Sequence, residues 1–178
     1  ALEYRSRFGD PFAPPRPLEL APLANGKKLP SISIVVAESL RGSVFTPELM
    51  PKLFAWSNEG LRFERHYAGS NHSESGLFGL VFGRSALTYH STLNAHAEPT
   101  LLRALRRLGY RAGYFTGHPE RWLRREEFMN RATLDDFERD DVGSWNDWDR
   151  RALARASAYV KSDRPSIAVT FLMSSHYE

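Results

Sequence analysis

The chain has 178 residues, enough for one domain with a real core, and 42% of them are apolar, ordinary for a globular protein. It has no cysteine, which excludes disulfides and thiolate metal sites and leaves the redox compartment open. The net charge of +3, with arginine far outnumbering lysine, suits an anionic partner such as a phosphate or lipid head group; the basic residues are scattered and no nucleic-acid motif accompanies them, so nucleic acid is not expected.

Six prolines between Pro11 and Pro30 forbid a helix or a central strand, so residues 1–30 are expected to form an extended lead-in and the domain to span 31–178. No apolar run approaches the roughly 18 residues of a membrane helix, and no signal-peptide pattern is present, as in a soluble protein or the soluble part of a membrane protein. Ile32 to Ala37 is short, apolar and β-branched, the mark of a buried parallel strand. It ends on Glu38, with Arg41 three residues later. Pro47 to Glu59 predicts a helix with Thr46 as N-cap, Leu49, Leu53 and Trp56 on one face, and Gly60 at its end. Leu61 to Tyr67 predicts an extended segment. Ser73 to Phe82 predicts a buried helix stopped by Gly83.

Pro99 to Leu108 is amphipathic, with leucines on one face and Arg103, Arg106 and Arg107 on the other, and Gly109 closes it. Arg111 to Thr116 predicts a second strand ending at Gly117-His118. Arg121 to Asn130 predicts a helix, and Phe137 belongs to a short strand. Asn146 to Lys161 predicts a helix capped by Ser144 or Asn146. Pro165 to Ser174 predicts a third strand, ending at Ser175-His176. Strands alternating with helices of this length imply an α/β fold: a parallel sheet with helices on both faces.

Three strands thus end on polar groups: Glu38, His118 and His176. In a parallel sheet these ends share one edge, where ligands collect. The loop Gly69-Ser-Asn-His-Ser-Glu-Ser-Gly76 puts Ser73 at the start of the small-residue helix. Free N–H groups and the helix dipole favour an oxyanion there, although a plain N-cap is the simpler reading. A carboxylate and a hydroxyl on one rim could share a divalent cation, which lowers the hydroxyl pKa and makes its oxygen nucleophilic. Trp145 and Trp148 are expected in packing. His66, His72, His90 and His96 show no ligand spacing.

Four stretches carry a resemblance: Ser31-Ile-Ser-Ile-Val-Val-Ala-Glu-Ser-Leu-Arg41, Met50-Pro-Lys-Leu53, Asn58-Glu-Gly-Leu-Arg-Phe63 and His66-Tyr-Ala-Gly-Ser-Asn71. Together they resemble the opening of the sulfatase branch of the alkaline phosphatase superfamily. Within it the chain is most similar to bacterial membrane-anchored members: lipoteichoic acid synthases, phosphoethanolamine transferases and sulfatase-like inner-membrane proteins. The similarity runs from about Pro30 to the last residue.

The resemblance implies an alkaline phosphatase-like sheet, with Glu38 as metal ligand and Ser73 as both metal ligand and covalent nucleophile, five residues before Phe78. Transferases of this group usually carry threonine at the Ser73 position, and serine keeps the chemistry. The metal would be manganese, magnesium or zinc. His118 with Trp122 and Arg124 resembles a substrate head-group site, with a shorter gap after the histidine, and His176 resembles the strand-end histidine that touches the transferred phosphoryl group. The sulfatase Cys/Ser-x-Pro-x-Arg motif is lacking, which disfavours sulfate-ester hydrolysis.

Family enzymes complete the metal site with an Asp-His pair on a later strand, and no position here matches it. The chain therefore resembles the N-terminal portion of such a domain with its C-terminal part missing. For that portion alone the expectation is weak or absent metal binding, no catalysis, and open apolar surface that favours self-association. The implied function of the parent is metal-dependent transfer or hydrolysis of a phospholipid head group, phosphoglycerol or phosphoethanolamine, on the periplasmic face of the bacterial inner membrane. The alternative is a non-catalytic sulfatase-like domain that binds a lipid or protein partner there.

Overall fold

A computed structural model describes residues 29–117, 122–129, 134–139 and 142–175. The proline-rich lead-in as far as residue 28, His118 and His176 lie outside the described residues, as does the side chain of Trp122.

Four strands form one sheet: β1 (Ile32–Ala37), β2 (Arg111–Thr116), β3 (Asp136–Arg139) and β4 (Ser166–Leu172). Their order is β1-β4-β2-β3 and every pair is parallel. Parallel neighbours need crossovers, and here the crossovers carry helices. The helices are α1 (Pro51–Ser57), α2 (Ser73–Phe82), α3 (Tyr89–Asn94), α4 (Thr100–Arg107) and α5 (Trp145–Val160).

The strand period of two divides the core. Ile32, Ile34 and Val36 of β1, Ala112 and Tyr114 of β2, and Ile167, Val169 and Phe171 of β4 face one side. There they meet Leu77, Phe78, Val81 and Phe82 of α2, Tyr89 and Leu93 of α3, and Leu102 of α4. Phe115 and Ala168 face the other side and pack on Ala152, Ala156 and Tyr159 of α5. Gly113 is required by this second layer: a Cβ there would lie 2.8 Å from the Phe115 ring and 3.0 Å from the Tyr159 ring. The sheet is therefore covered by helices on both faces, as an α/β protein demands.

Local signals explain most boundaries. α2 stops where Gly83 takes φ 65°, a left-handed turn that suits glycine. α5 opens on a capping box: Ser144 Oγ accepts from Asp147 N, and the Asp147 carboxylate accepts from Ser144 N. That box and the charges beside it hold Asp147 below its ordinary carboxyl range, the Ser144 hydroxyl contributing most. Tyr89 at the start of α3 is pushed up to about 12, by burial first and then by the Glu74 carboxylate.

Three expectations are corrected. The helix expected from Pro47 begins at Pro51, because Thr46 instead closes a turn: its Oγ1 accepts from Leu49 N at 3.3 Å and its carbonyl from Met50 N at 2.9 Å. Leu61 to Tyr67, expected as an extended segment, is an exposed loop with a turn at Glu64-Arg65, and the Arg62 guanidinium lies over Phe54 and Phe45. The segment expected as a helix over 121–130 forms a 3-10 helix over Trp122–Glu127.

Candidate functional site

β1 delivers Glu38 to the carboxyl edge of the sheet. Its register with β4 ends at Ala37 opposite Leu172, and the next backbone bond, Glu38 N to Leu172 O at 3.0 Å, holds Glu38 at the strand end. Ser39 then takes φ 55°, a left-handed conformation uncommon for serine, and the chain turns away at once. The carboxylate is left half-buried on the rim.

Ser73 arrives from the other side. It is the first residue of α2, and His72 occupies the cap position without a side-chain capping bond. Ser73 is therefore not an N-cap. Its Oγ donates to Glu38 Oε1 at 2.6 Å, across 35 positions of sequence. The Ser39 hydroxyl donates more weakly to the same oxygen, at 3.3 Å. So the two residues that the strand-end argument pairs do meet, and they meet directly.

A cavity of about 700 Å³ opens over this pair. Beyond Glu38 and Ser73 its lining includes Ser70, Asn71, His66, His72 and Arg84. Arg84 donates to Thr92 Oγ1 at 2.7 Å, which fixes a guanidinium beside the cavity. Arg84 follows the Gly83 helix stop and belongs to no motif, so only its nearness in sequence to the end of α2 could have suggested it.

Of the remaining site residues, Arg124 is the one whose side chain is described. Arg124 is not among those lining the cavity; it grips Glu127 through Nε at 2.5 Å and Nη2 at 2.8 Å, and Asn94 Oδ1 at 3.0 Å. That hydrogen bond holds the Glu127 carboxyl below its ordinary range. Arg124 does so at φ 63°, a strained setting for a non-glycine residue. His118 and His176 fall outside the described residues, so their relation to Glu38 and Ser73 stays an expectation.

The backbone around the rim is held from β4. Ser175 Oγ donates to the Glu38 carbonyl at 2.5 Å. Asp149, buried on α5, accepts from Met173 N at 2.9 Å and from Ser174 N at 2.8 Å. Sequence reasoning passed over Asp149. The available signal was its position: it falls on the same face of α5 as Ala152, Ala156 and Tyr159, where an acid must have a partner.

A parallel α/β sheet with a carboxylate and a helix-start hydroxyl on its carboxyl edge defines the class. A model of the sulfatase family matches residues 30–178, and the chain belongs to that family, with its alkaline phosphatase-like α/β fold. Members of the family generally use divalent metals. A Haemophilus influenzae protein of uncharacterised function is 32% identical over 103 residues, covering 58% of this chain and 17% of that protein. "Inner membrane protein YejM" of Salmonella typhimurium is 26% identical over 123 residues, covering 66% of this chain and 21% of that protein, and its Salmonella typhi counterpart matches equally. The matched regions thus span about a fifth of these relatives. The relatives named YejM are inner membrane proteins, whereas among the described residues here no helix is long and apolar enough to cross a membrane.

Proposed function

We propose that this protein transfers or hydrolyses a phosphate-linked phospholipid head group, phosphoglycerol or phosphoethanolamine, through a covalent phospho-serine at Ser73. The hydrogen bond from Ser73 Oγ to Glu38 Oε1 at the cavity floor carries the reading. It puts a helix-start hydroxyl against a carboxylate that can hold its proton, the pairing an activated nucleophile needs. Arg84, His66 and His72 along the cavity suit an anionic substrate.

In the first step an Oγ–phosphorus bond forms and the bond from phosphorus to the diacylglycerol oxygen breaks. The diacylglycerol leaves with a proton on that oxygen. In the second step the oxygen of an acceptor hydroxyl, or of water, bonds to phosphorus, the Oγ–phosphorus bond breaks, and the proton of that hydroxyl or water passes to Ser73 Oγ. The free N–H groups of the first turn of α2 lie beside Ser73 and favour the charge that gathers on the phosphoryl oxygens.

Glu38 Oε1 and Ser73 Oγ, 2.6 Å apart and both oxygen donors, fit two ligand positions of manganese, magnesium or zinc. A divalent cation bound there would lower the hydroxyl pKa and offset phosphoryl charge. The reading assigns His118, Trp122, Arg124 and His176 to the substrate, and Arg124 already grips a planar carboxylate in the fork geometry that a phosphate also accepts. It places the activity on the periplasmic face of the inner membrane, in keeping with the inner-membrane relatives.

A second reading is a non-catalytic sulfatase-like domain that binds a lipid or protein partner at that membrane. Acid quenching of the full-length protein with phosphatidylglycerol or phosphatidylethanolamine vesicles and manganese, followed by peptide mass spectrometry, decides between them. A phospho-head-group ester on Ser73 is expected; an unmodified Ser73 under every vesicle and metal condition sinks the catalytic reading.

A further inference from the structure

We infer that Asp149 is a positioning residue for the Glu38–Ser73 pair, an inference that rests on the functional reading above. Asp149 is a charged side chain only 5% exposed, on the sheet-facing side of α5. Burial of a carboxylate is costly without partners, and its partners here are two backbone N–H groups. Oδ1 accepts from Met173 N at 2.9 Å and Oδ2 from Ser174 N at 2.8 Å. These are the first two amides after β4, beyond the point where pairing with β1 ends at Leu172. The sheet no longer holds the chain there, and the carboxylate does.

The consequence reaches the site in one further bond. The residue after this clamp is Ser175, whose hydroxyl donates to the Glu38 carbonyl at 2.5 Å. Glu38 is thereby held at both backbone groups by the end of β4: its N–H by Leu172 O at 3.0 Å and its carbonyl by Ser175. That fixes the backbone from which its carboxylate reaches Ser73 Oγ, 2.6 Å away. Asp149 is not among the residues that line the cavity; it acts through the turn.

A carboxylate is needed for this. Asparagine offers one acceptor oxygen and turns an N–H₂ toward the second amide, so Asp149→Asn breaks one bond and opposes two donors. The test sets Asp149→Asn and Ser175→Ala against Asp147→Asn, which weakens the cap of the same helix but leaves the β4 end alone. The full-length protein carries ¹³C-labelled glutamate, and the Glu38 carboxylate signal, assigned with Glu38→Gln, reports the Ser73 hydrogen bond without any need for turnover. Turnover of a chromogenic phosphodiester is measured well below each variant's unfolding temperature.

Asp149→Asn should move the Glu38 signal and lower kcat by about 10-fold or more, since small misplacements of a reacting group cost rate steeply. Ser175→Ala should do both to a smaller extent, and Asp147→Asn neither. A Glu38 signal that stays at its wild-type position in Asp149→Asn and Ser175→Ala overturns the inference. So does a kcat that falls no further in Asp149→Asn than in Asp147→Asn. A wild-type protein that shows no turnover overturns the catalytic reading instead, and the carboxylate signal still decides whether Asp149 sets the geometry.

Discussion

β4 and α1 are both short apolar segments, yet they end in opposite surroundings. Six of the seven residues of β4 are buried, because β1 and β2 flank it and helices cover both of its faces. None of the residues of α1 is buried; Trp56 is 68% exposed, and nearby Leu61 and Phe63 are 89% and 76% exposed. Burial of apolar surface contributes about 25 cal/mol per Å², so the first segment anchors the fold and the second adds little to it. Apolar periodicity marks a surface suited to burial; topology decides whether a neighbour is there to bury it. β1 stands between the two cases. Its even-numbered residues pack on the core, whereas Val35 on its other face is 51% exposed at the sheet edge.

The contrast breaks if the two regions respond alike to truncation. Phe78 is fully buried and its ring contacts Phe82, Tyr89 and Phe128, so Phe78→Ala should cost about 3–5 kcal/mol in urea denaturation. Trp56→Ala should change stability by under about 0.5 kcal/mol in the same assay. A Trp56 variant as damaged as the Phe78 variant would mean that α1 is packed in solution.

A smaller difference sharpens the comparison at the helix starts. Ser144→Ala removes a complete capping box on a helix that packs against the sheet and should cost about 1 kcal/mol. Thr46→Ala removes one 3.3 Å bond in an exposed turn before α1 and should cost distinctly less. Equal costs would argue against the packed-versus-open distinction.

The smallest effects are in pH dependence. Tyr89 has a folded pKa of about 12, above its ordinary value near 10. Its contribution to stability is therefore complete below about pH 10 and is lost as pH rises toward 12. Difference absorbance should show late tyrosine ionisation from Tyr89 and from Tyr159, whose phenol burial also pushes up, and Tyr89→Phe should remove the Tyr89 share of it. Asp147 has the opposite sign: its folded pKa is lowered, so its contribution is present above the ordinary carboxyl range and fades as pH falls through the folded value. Ser144→Ala should flatten that acid limb. Loss of stability with rising pH at the Asp147 step would contradict the assignment.

The parallel sheet was legible because β1, β2 and β4 are apolar runs of strand length set between helices with glycine stops. α2 was legible to its last residue, since Gly83 must sit where φ is positive. α3 was not read from the sequence: six residues rich in Ser, Thr and His carry too short a period to register. α1 was drawn too long because Thr46 and Pro47 suit a helix start and a turn equally well. Glu38 and Ser73 were legible for a different reason. A carboxylate closing an apolar strand and a hydroxyl opening a small-residue helix are unusual placements, and the strand ends of a parallel sheet share one rim. Arg84 and Asp149 escaped because their parts depend on tertiary neighbours: Thr92 for one and the amides after β4 for the other.

The central claim is that Ser73, paired with Glu38, is the reacting group of this family member. Turnover of a phosphodiester by the full-length protein, compared in Ser73→Ala and Ser75→Ala, tests it most directly. The account predicts a loss of roughly 10³-fold or more in kcat for Ser73→Ala with the fold intact, and near-normal turnover for Ser75→Ala. Near-normal turnover in Ser73→Ala, with the loss falling on Ser75→Ala, would contradict it.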